Sequence, residues 1–382
     1  MLVTWLCLSA NLVWADPPNT QQETIPLLTP EQALAAVDVP KGFRVSLFAS
    51  DPEVRQPIAM AFDTRDRLWV AECYSYVKSN AFDTEQRDRV LIFEDTDHDG
   101  KADRRTVFWD RAQRLTSVEV GFGGVWVLCP PQLLFIPDAD RDDRPDGEPI
   151  VVLDGWATTG HTFANGLRWG PDGWLYGRQG IQGVSHVGAP GTPDEERTPV
   201  NCGIWRFHPQ RKAFEMVCHG TTNPWGMDWD DHGELFFINT VIGHLWHAVP
   251  GAHFRRMYGE DLRPQLYELI EQTADHVHWD AGEDWTATRK QLSDATSRTG
   301  GGHAHTGLMI YLGENWPQEY RGELFTLNLH GRRINHDHLE RAGATYVGRH
   351  RPDLMSFGDP WFRPIDLAYG GGGGVYVLDW SD

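Results

Sequence analysis

Long apolar runs are missing from this 382-residue chain. Beyond its first residues no stretch approaches the ~20 consecutive apolar residues that a membrane-crossing helix needs. An excess of positive charge is missing too: Lys and Arg number 34 against 54 Asp and Glu, a formal net charge of −20. No basic stripe is available for a phosphate backbone, so nucleic acid is not a partner. Cysteine is sparse, five in all, and no Cys-x-x-Cys-His is present to attach a c-type haem.

Glycine and aromatic residues are plentiful, with 39 Gly and 17 Trp. That combination implies short strands joined by tight turns, and the 40% hydrophobic content is enough to build a core. The length fits one large all-β unit as readily as two ordinary domains.

Residues 1–15 form an uncharged apolar run closing on Val13-Trp14-Ala15. It is too short to span a bilayer and reads as a signal peptide cleaved after Ala15, although no Lys or Arg precedes it; a buried N-terminal strand is the alternative. The first reading exports the chain to the periplasm or the extracellular space, with no transmembrane span once the signal is removed. Cys7 leaves with the signal, while Cys73, Cys129, Cys202 and Cys218 remain. Four exported cysteines permit disulfides, or burial as small hydrophobes. Within the N-terminal segment 16–41, Thr29-Pro30-Glu31-Gln32 has the pattern of a short capped helix.

One phrase recurs from Pro57 onward: an apolar strand, a Gly/Asp turn, then an aromatic strand. Its copies start at Pro57, Leu115, His161, Asn223, His303 and Phe362. Six hairpins at this spacing predict a six-bladed β-propeller over residues 42–382, with a β-sandwich as the alternative. The alternating segment Phe43–Ser50 is expected to complete the last blade. Residues 258–300 interrupt the pattern, and LRPQLYELIEQTADHVHW within them reads as a partly helical insertion over the central site.

Two acidic loops stand out. Asp95, Asp97 and Asp99 alternate ahead of Gly100, followed by Lys101 and Asp103. Such spacing converges hard oxygen ligands on one calcium ion, the residue 101 carbonyl included. Asp138, Asp140, Asp142 and Asp146 form a second candidate calcium loop, without glycine at its sixth position and with two Arg able to neutralise it; a solvated acidic turn is the alternative for either. Three His-x-His pairs, 276/278, 303/305 and 336/338, place imidazoles on one strand face, where they can hydrogen-bond or ligate a metal.

The series DTDHDGKAD, GWLYGRQGIQG, NPWGMDWDDHGELFF, GGHAHTGLMIY and WFRPIDLAYGGGGGVYVLDW resembles the bacterial membrane-bound dehydrogenase family, over residues 40–382. More distantly it is similar to the soluble quinoprotein glucose and aldose dehydrogenases. This resemblance implies pyrroloquinoline quinone over a central tunnel, calcium beside it, a sugar or alcohol substrate and an external electron acceptor such as a cytochrome. His161, ahead of Asn165-Gly166-Leu167 and the Gly170-Pro171-Asp172-Gly173 turn, then corresponds to the base that takes the substrate proton. Asn223 and Arg363 correspond to cofactor-binding residues, with Arg332, Arg333, His303 and His305 as further candidates. Where those enzymes carry an Arg before the Asn, this chain has Thr222, which cannot replace a charged planar fork.

Three functions follow. The first is an exported quinoprotein-like dehydrogenase of sugars or alcohols. The others are a non-catalytic, calcium-stabilised propeller binding carbohydrate or protein, and a metal-dependent hydrolase or lactonase.

Overall fold

A computed structural model describes residues 25–78, 81–240, 243–263, 265–271, 274, 293–298, 300–302 and 304–380. The proposed signal peptide, the His276/His278 pair and His303 lie outside them. The described chain is almost wholly β. Five of the six phrases open a sheet with their first strand, which forms one edge of that sheet: Pro57–Phe62, Ser117–Gly121, Asn165–Trp169, Pro224–Trp229 and His305–Ile310. The sixth, Pro364–Tyr369, pairs with Val375–Asp379 alone. Each opening strand packs on the next in this order, and Pro364–Tyr369 packs back on Pro57–Phe62.

Second strands explain why the repeat is so apolar. Leu68–Glu72, Gly124–Cys129, Leu175–Gln179, Leu235–Asn239 and Leu324–Asn328 are buried along their whole length. Covered on both faces, they lose the alternation of a half-exposed strand and read as continuous hydrophobic runs. Outer strands such as Arg104–Ala112 carry exposed as well as buried positions.

Entry to the opening strands is fixed by a repeated bond. Pro57, Pro224 and Pro364 stand opposite Glu72, Asn239 and Asp379. Proline has no N–H to give and is tolerated at a strand's first position. The donor comes from just before it: the N–H groups of Arg55, Asn223 and Arg363 donate to the side chains of Glu72, Asn239 and Asp379 at 2.7, 3.0 and 2.7 Å. The polar residue ending each second strand thus holds the loop that feeds the first.

Several expectations are corrected here. Phe43–Ser50 forms no ladder; instead Val37–Asp38 pairs with Phe357 and Ser356 on the edge of the fifth sheet. Phe48 still reaches the sixth sheet, ring to ring with Tyr376 at 5.0 Å. The insertion is partly helical, but at Asp294–Arg298 and not between residues 265 and 271. Ile270 bridges to the His253–Arg256 strand, exchanging backbone bonds with His253 and Arg255, and extended pairing there excludes a helical turn. The capped helix does form at Pro30–Ala35, with the Thr29–Gln32 capping box in place. All four described cysteines are buried free thiols.

Candidate functional site

Among the described residues singled out by sequence, His161, Asn223, His305, Arg332, Arg333 and Arg363 lie along one rim, where the chain enters the opening strands. The Thr116 hydroxyl donates to the Ala164 carbonyl at 2.7 Å and the Asn165 amide to that of Pro224 at 3.4 Å. Backbone bonds continue the circuit, from Thr240 N–H to Asn223 O, then from Ala304 N–H to Thr240 O. Thr306 closes it, donating to the Pro364 carbonyl at 2.8 Å.

His161 is exposed on this rim, its backbone N–H held by Gln182 Oε1 at 2.8 Å. Partial desolvation of its ring lowers its pKa from the ordinary value. Asn223 sits nearby; its Nδ2 donates to Thr240 Oγ1 at 2.9 Å, and its Oδ1 is buried without a partner among the described residues. The two loops close over Gly180, where a Cβ would strike both Thr162 and Asn223.

Other candidates are differently engaged. Arg363 Nη1 donates to the carbonyls of Pro360 and Phe362 at 2.8 and 2.9 Å. Arg332 adopts φ 49°, and its Nε is buried without a hydrogen-bond partner among the described residues. Arg333 pairs with Asp353 at 2.8 Å. His305 is fully buried, its Nε2 3.0 Å from the Gly300 carbonyl and its ring stacked on His244 at 4.2 Å. His336 and His338 share one carboxylate, that of Glu323, at 3.0 and 2.7 Å.

Below the rim, the opening strands surround a cavity of about 260 Å³. Its wall carries charges that the reading of the sequence passed over. Glu119, Arg168 and Asp228 occupy one register position in three successive sheets, opposite Trp126, Tyr176 and Phe236. Arg168 Nη2 reaches Asp228 Oδ1 at 3.3 Å. Burial works against the Arg168 charge, but Asp228, Asp366 and Glu119 outweigh it and raise its pKa. Burial pushes Glu119 up to about 7 and raises Asp228 and Asp366.

These carboxylates also stitch sheets together. Asp228 accepts from Trp229 N–H and, on the next sheet, Ile310 N–H, both at 2.9 Å. Asp366 accepts from Leu367 N–H at 3.0 Å and from Met60 N–H at 3.1 Å. A usable signal lay in the repeat itself: an ionisable residue, Glu119, Arg168, Asp228 or Asp366, recurs inside the first strand of four of the six phrases.

The acidic loops are conformational copies, 43 positions apart (138 against 95). Asp99 N–H donates to Asp95 and Asp97, as Asp142 N–H does to Asp138 and Asp140. His98 and Arg141 match at φ 60° and 59°, and Gly100 and Asp143 are both left-handed at 89° and 69°. In each loop three carboxylate oxygens, from Asp95, Asp97 and Asp99 or from Asp138, Asp140 and Asp142, lie within 4.8 Å of one another. Asp103 and Asp146 instead accept the N–H groups of Thr96 and Ala139, at 2.9 and 2.7 Å. Lys101 N–H closes on Asp99 at 2.8 Å. Neutralisation of the second loop comes from outside it: Arg67 grips Asp143 with two bonds of 2.7 and 2.8 Å, and Arg65 adds a third at 2.9 Å.

The profile of a family described as a domain of unknown function, DUF7133, matches residues 29–382. No curated protein matches the chain. Among solved structures, the PQQ-bound aldose sugar dehydrogenase of Streptomyces coelicolor is similar over 90% of this chain and 92% of its own, at 14% identity and TM-score 0.54. The holo PQQ domain of pyranose dehydrogenase from Coprinopsis cinerea is similar over 90% and 94%, at 12% identity and TM-score 0.58. At these identities the likeness is one of fold.

Proposed function

The chain belongs to the DUF7133 family, and we propose that it is an exported six-bladed propeller that oxidises a hydroxyl of a sugar or alcohol on the rim above its central cavity. The observation that carries this reading is the meeting of the His161 and Asn223 loops over Gly180, on a rim shared with His305 and Arg363. An exposed imidazole kept neutral by partial desolvation is suited to take a hydroxyl proton. In this reaction the proton goes to a ring nitrogen of His161, while the hydride on the same carbon leaves to a two-electron acceptor supplied by another molecule.

Pyrroloquinoline quinone, bound in the two similar dehydrogenases, does not fit the donors at the corresponding rim positions. Its carboxylates call for charged planar forks. Thr222 stands where one is required, with its hydroxyl buried, and Arg363 Nη1 is committed to two backbone carbonyls. No step is therefore assigned to that cofactor. The same mismatch favours the second reading, a rim that binds carbohydrate or protein without turnover. The metal-dependent hydrolase is disfavoured, because Arg168 already stands among Glu119, Asp228 and Asp366.

Calcium fits both acidic loops, whose donors are all hard oxygens. Asp95, Asp97 and Asp99 would hold one ion and Asp138, Asp140 and Asp142 another, each acting as a staple away from the chemistry.

Purified protein, with calcium present, is assayed for dye reduction over a panel of sugars and alcohols, with and without added pyrroloquinoline quinone. Turnover that His161→Ala abolishes supports the dehydrogenase. Absence of turnover on every substrate, alongside sugar or protein binding, replaces it with the second reading. Sequencing the mature N-terminus tests export, which requires a start at Asp16.

A further inference from the structure

The six second strands can be overlaid by register, and one position breaks ranks. Just before the residue that ends each strand stand Ala71, Leu128, Ile238, Leu327 and Leu378 in five sheets, and Arg178 in the third. A core position that is apolar five times and cationic once needs a reason, because an unpaired buried charge is costly.

Arg178 is only 8% exposed and lines the cavity below the rim. Its Nε donates to Asn165 Oδ1 at 2.7 Å. Asn165, itself 1% exposed, is locked by its own bonds to the carbonyls of Phe163 and Pro224. The guanidinium lies flat over Gly166, where a Cβ would collide with it. One nitrogen is thus used to aim the group, and the two terminal nitrogens have no hydrogen-bond partner among the described residues.

Neighbouring charges do not answer it. Arg168 repels it, and no carboxylate oxygen of the described residues lies within 4.0 Å of its nitrogens. Asp366 attracts it from further away, but both Asp366 oxygens already accept backbone N–H groups. Asp228 is taken by Arg168 and by two N–H groups of its own. Glu119 accepts from Val120 N–H at 2.9 Å.

We infer that the Arg178 guanidinium is a carboxylate-binding site, taking a small organic acid into the cavity through two parallel N–H···O bonds. The planar fork matches a carboxylate and not a point anion. Size restricts the ligand, since about 260 Å³ is less than the roughly 300–1,000 Å³ of pockets for drug-sized molecules. The site lies beneath the rim and does not depend on the dehydrogenase reading.

The test is binding to the full chain, read by thermal unfolding with acetate or glycolate against sodium chloride of equal ionic strength and against neutral ethylene glycol. The carboxylates should raise the midpoint by about 3–5 °C at 100 times their Kd, and the controls should not. Arg178→Gln keeps a donor for Asn165 and should abolish the shift. Asn165→Asp brings a carboxylate to Arg178 from within the chain and should abolish it as well, at the cost of the bonds that the Asn165 amide donates to the Phe163 and Pro224 carbonyls. Either variant binding acetate as wild type does, or a wild-type protein unmoved by both carboxylates, overturns the assignment. Should Arg178→Gln fail to fold, Asn165→Asp and line broadening of ¹³C-acetate on the wild-type protein decide it.

Discussion

Arg168 on the third sheet reaches Asp228 on the fourth at 3.3 Å, and the pair joins two sheets across the wall of the cavity. Asp228 in turn holds Ile310 N–H on the fifth sheet. The bond therefore orders three consecutive sheets from their inner edges.

Arg168→Met should destabilise the protein by about 2–4 kcal/mol, because Asp228 is left as an unpaired buried carboxylate. Adding Asp228→Asn should recover part of that loss, since it removes the unpaired buried charge while the amide oxygen still accepts from one of the two N–H groups, Trp229 or Ile310. Urea unfolding of both variants checks this. A single variant within 0.5 kcal/mol of wild type would show that the pair contributes little.

The dehydrogenase reading makes a kinetic prediction at His161. A general base works only when unprotonated, and desolvation moves this imidazole below its ordinary value. The rate kcat/KM should thus stay flat through pH 7 and fall only as pH drops below about 6.5. His161→Gln should lower kcat by roughly 10²–10⁴-fold, leaving the thermal midpoint unchanged because the ring makes no bond to the described residues. A pH profile unaltered by the substitution would remove His161 from the reaction.

Much of the architecture was legible because the repeat is written in backbone chemistry. Proline can open a strand, Asp/Gly pairs make the turns, and an apolar run ends on a polar residue, as in Leu235–Asn239. The rim was legible for the same reason, since its residues precede strands of predictable direction. Side-chain commitments were not. The resemblance to quinoproteins sets Arg363 against a cofactor-binding Arg of theirs, but the nearness of the Pro360 and Phe362 carbonyls depends on how its loop folds. Glu119, Arg168 and Asp228 look like the solvent side of amphipathic strands until the strands form a ring and that side turns out to face a cavity. Arg67 and Asp143 lie 76 positions apart, and no local pattern joins them.

Calcium should act on stability through both loops. If three carboxylates converge on an ion in each, chelation should lower the thermal midpoint by several degrees, and calcium at 100 times its Kd should contribute about 2.7 kcal/mol per site. Asp97→Asn and Asp140→Asn should each remove part of the response, and the double variant nearly all of it. The first loop also holds the N-terminal segment, through the Ser46 hydroxyl donating to Gly100 O and Ala102 N–H donating to Phe48 O. Its variant should therefore release that segment to protease sooner than the second loop's does. Identical unfolding in calcium and in chelator would dismiss both sites.

Asp379 sets the last expectation. Its carboxylate accepts Arg363 N–H at 2.7 Å, yet burial pushes its pKa up to about 7. A carboxyl group raised in the folded state binds a proton more tightly there than in the unfolded chain, where its pKa is about 3.9. Its contribution to stability is complete below pH 4 and disappears as pH rises through 7, the reverse of an ion-paired aspartate. Asp379→Asn keeps an acceptor for Arg363 and removes the titration. It should match wild type near pH 4 and exceed it by about 2–4 kcal/mol at pH 8, since each tenfold difference in proton affinity between the two states is worth about 1.4 kcal/mol. Glu119, raised to about 7 by burial, should behave alike in Glu119→Gln, so the double variant should gain at pH 8 from both sites, while Asp228 and Asp366, also raised by burial, keep their own pH dependence. Denaturant unfolding at the two pH values decides it, and a variant no more stable than wild type at pH 8 would mean that Asp379 is ionised at little cost in the native fold.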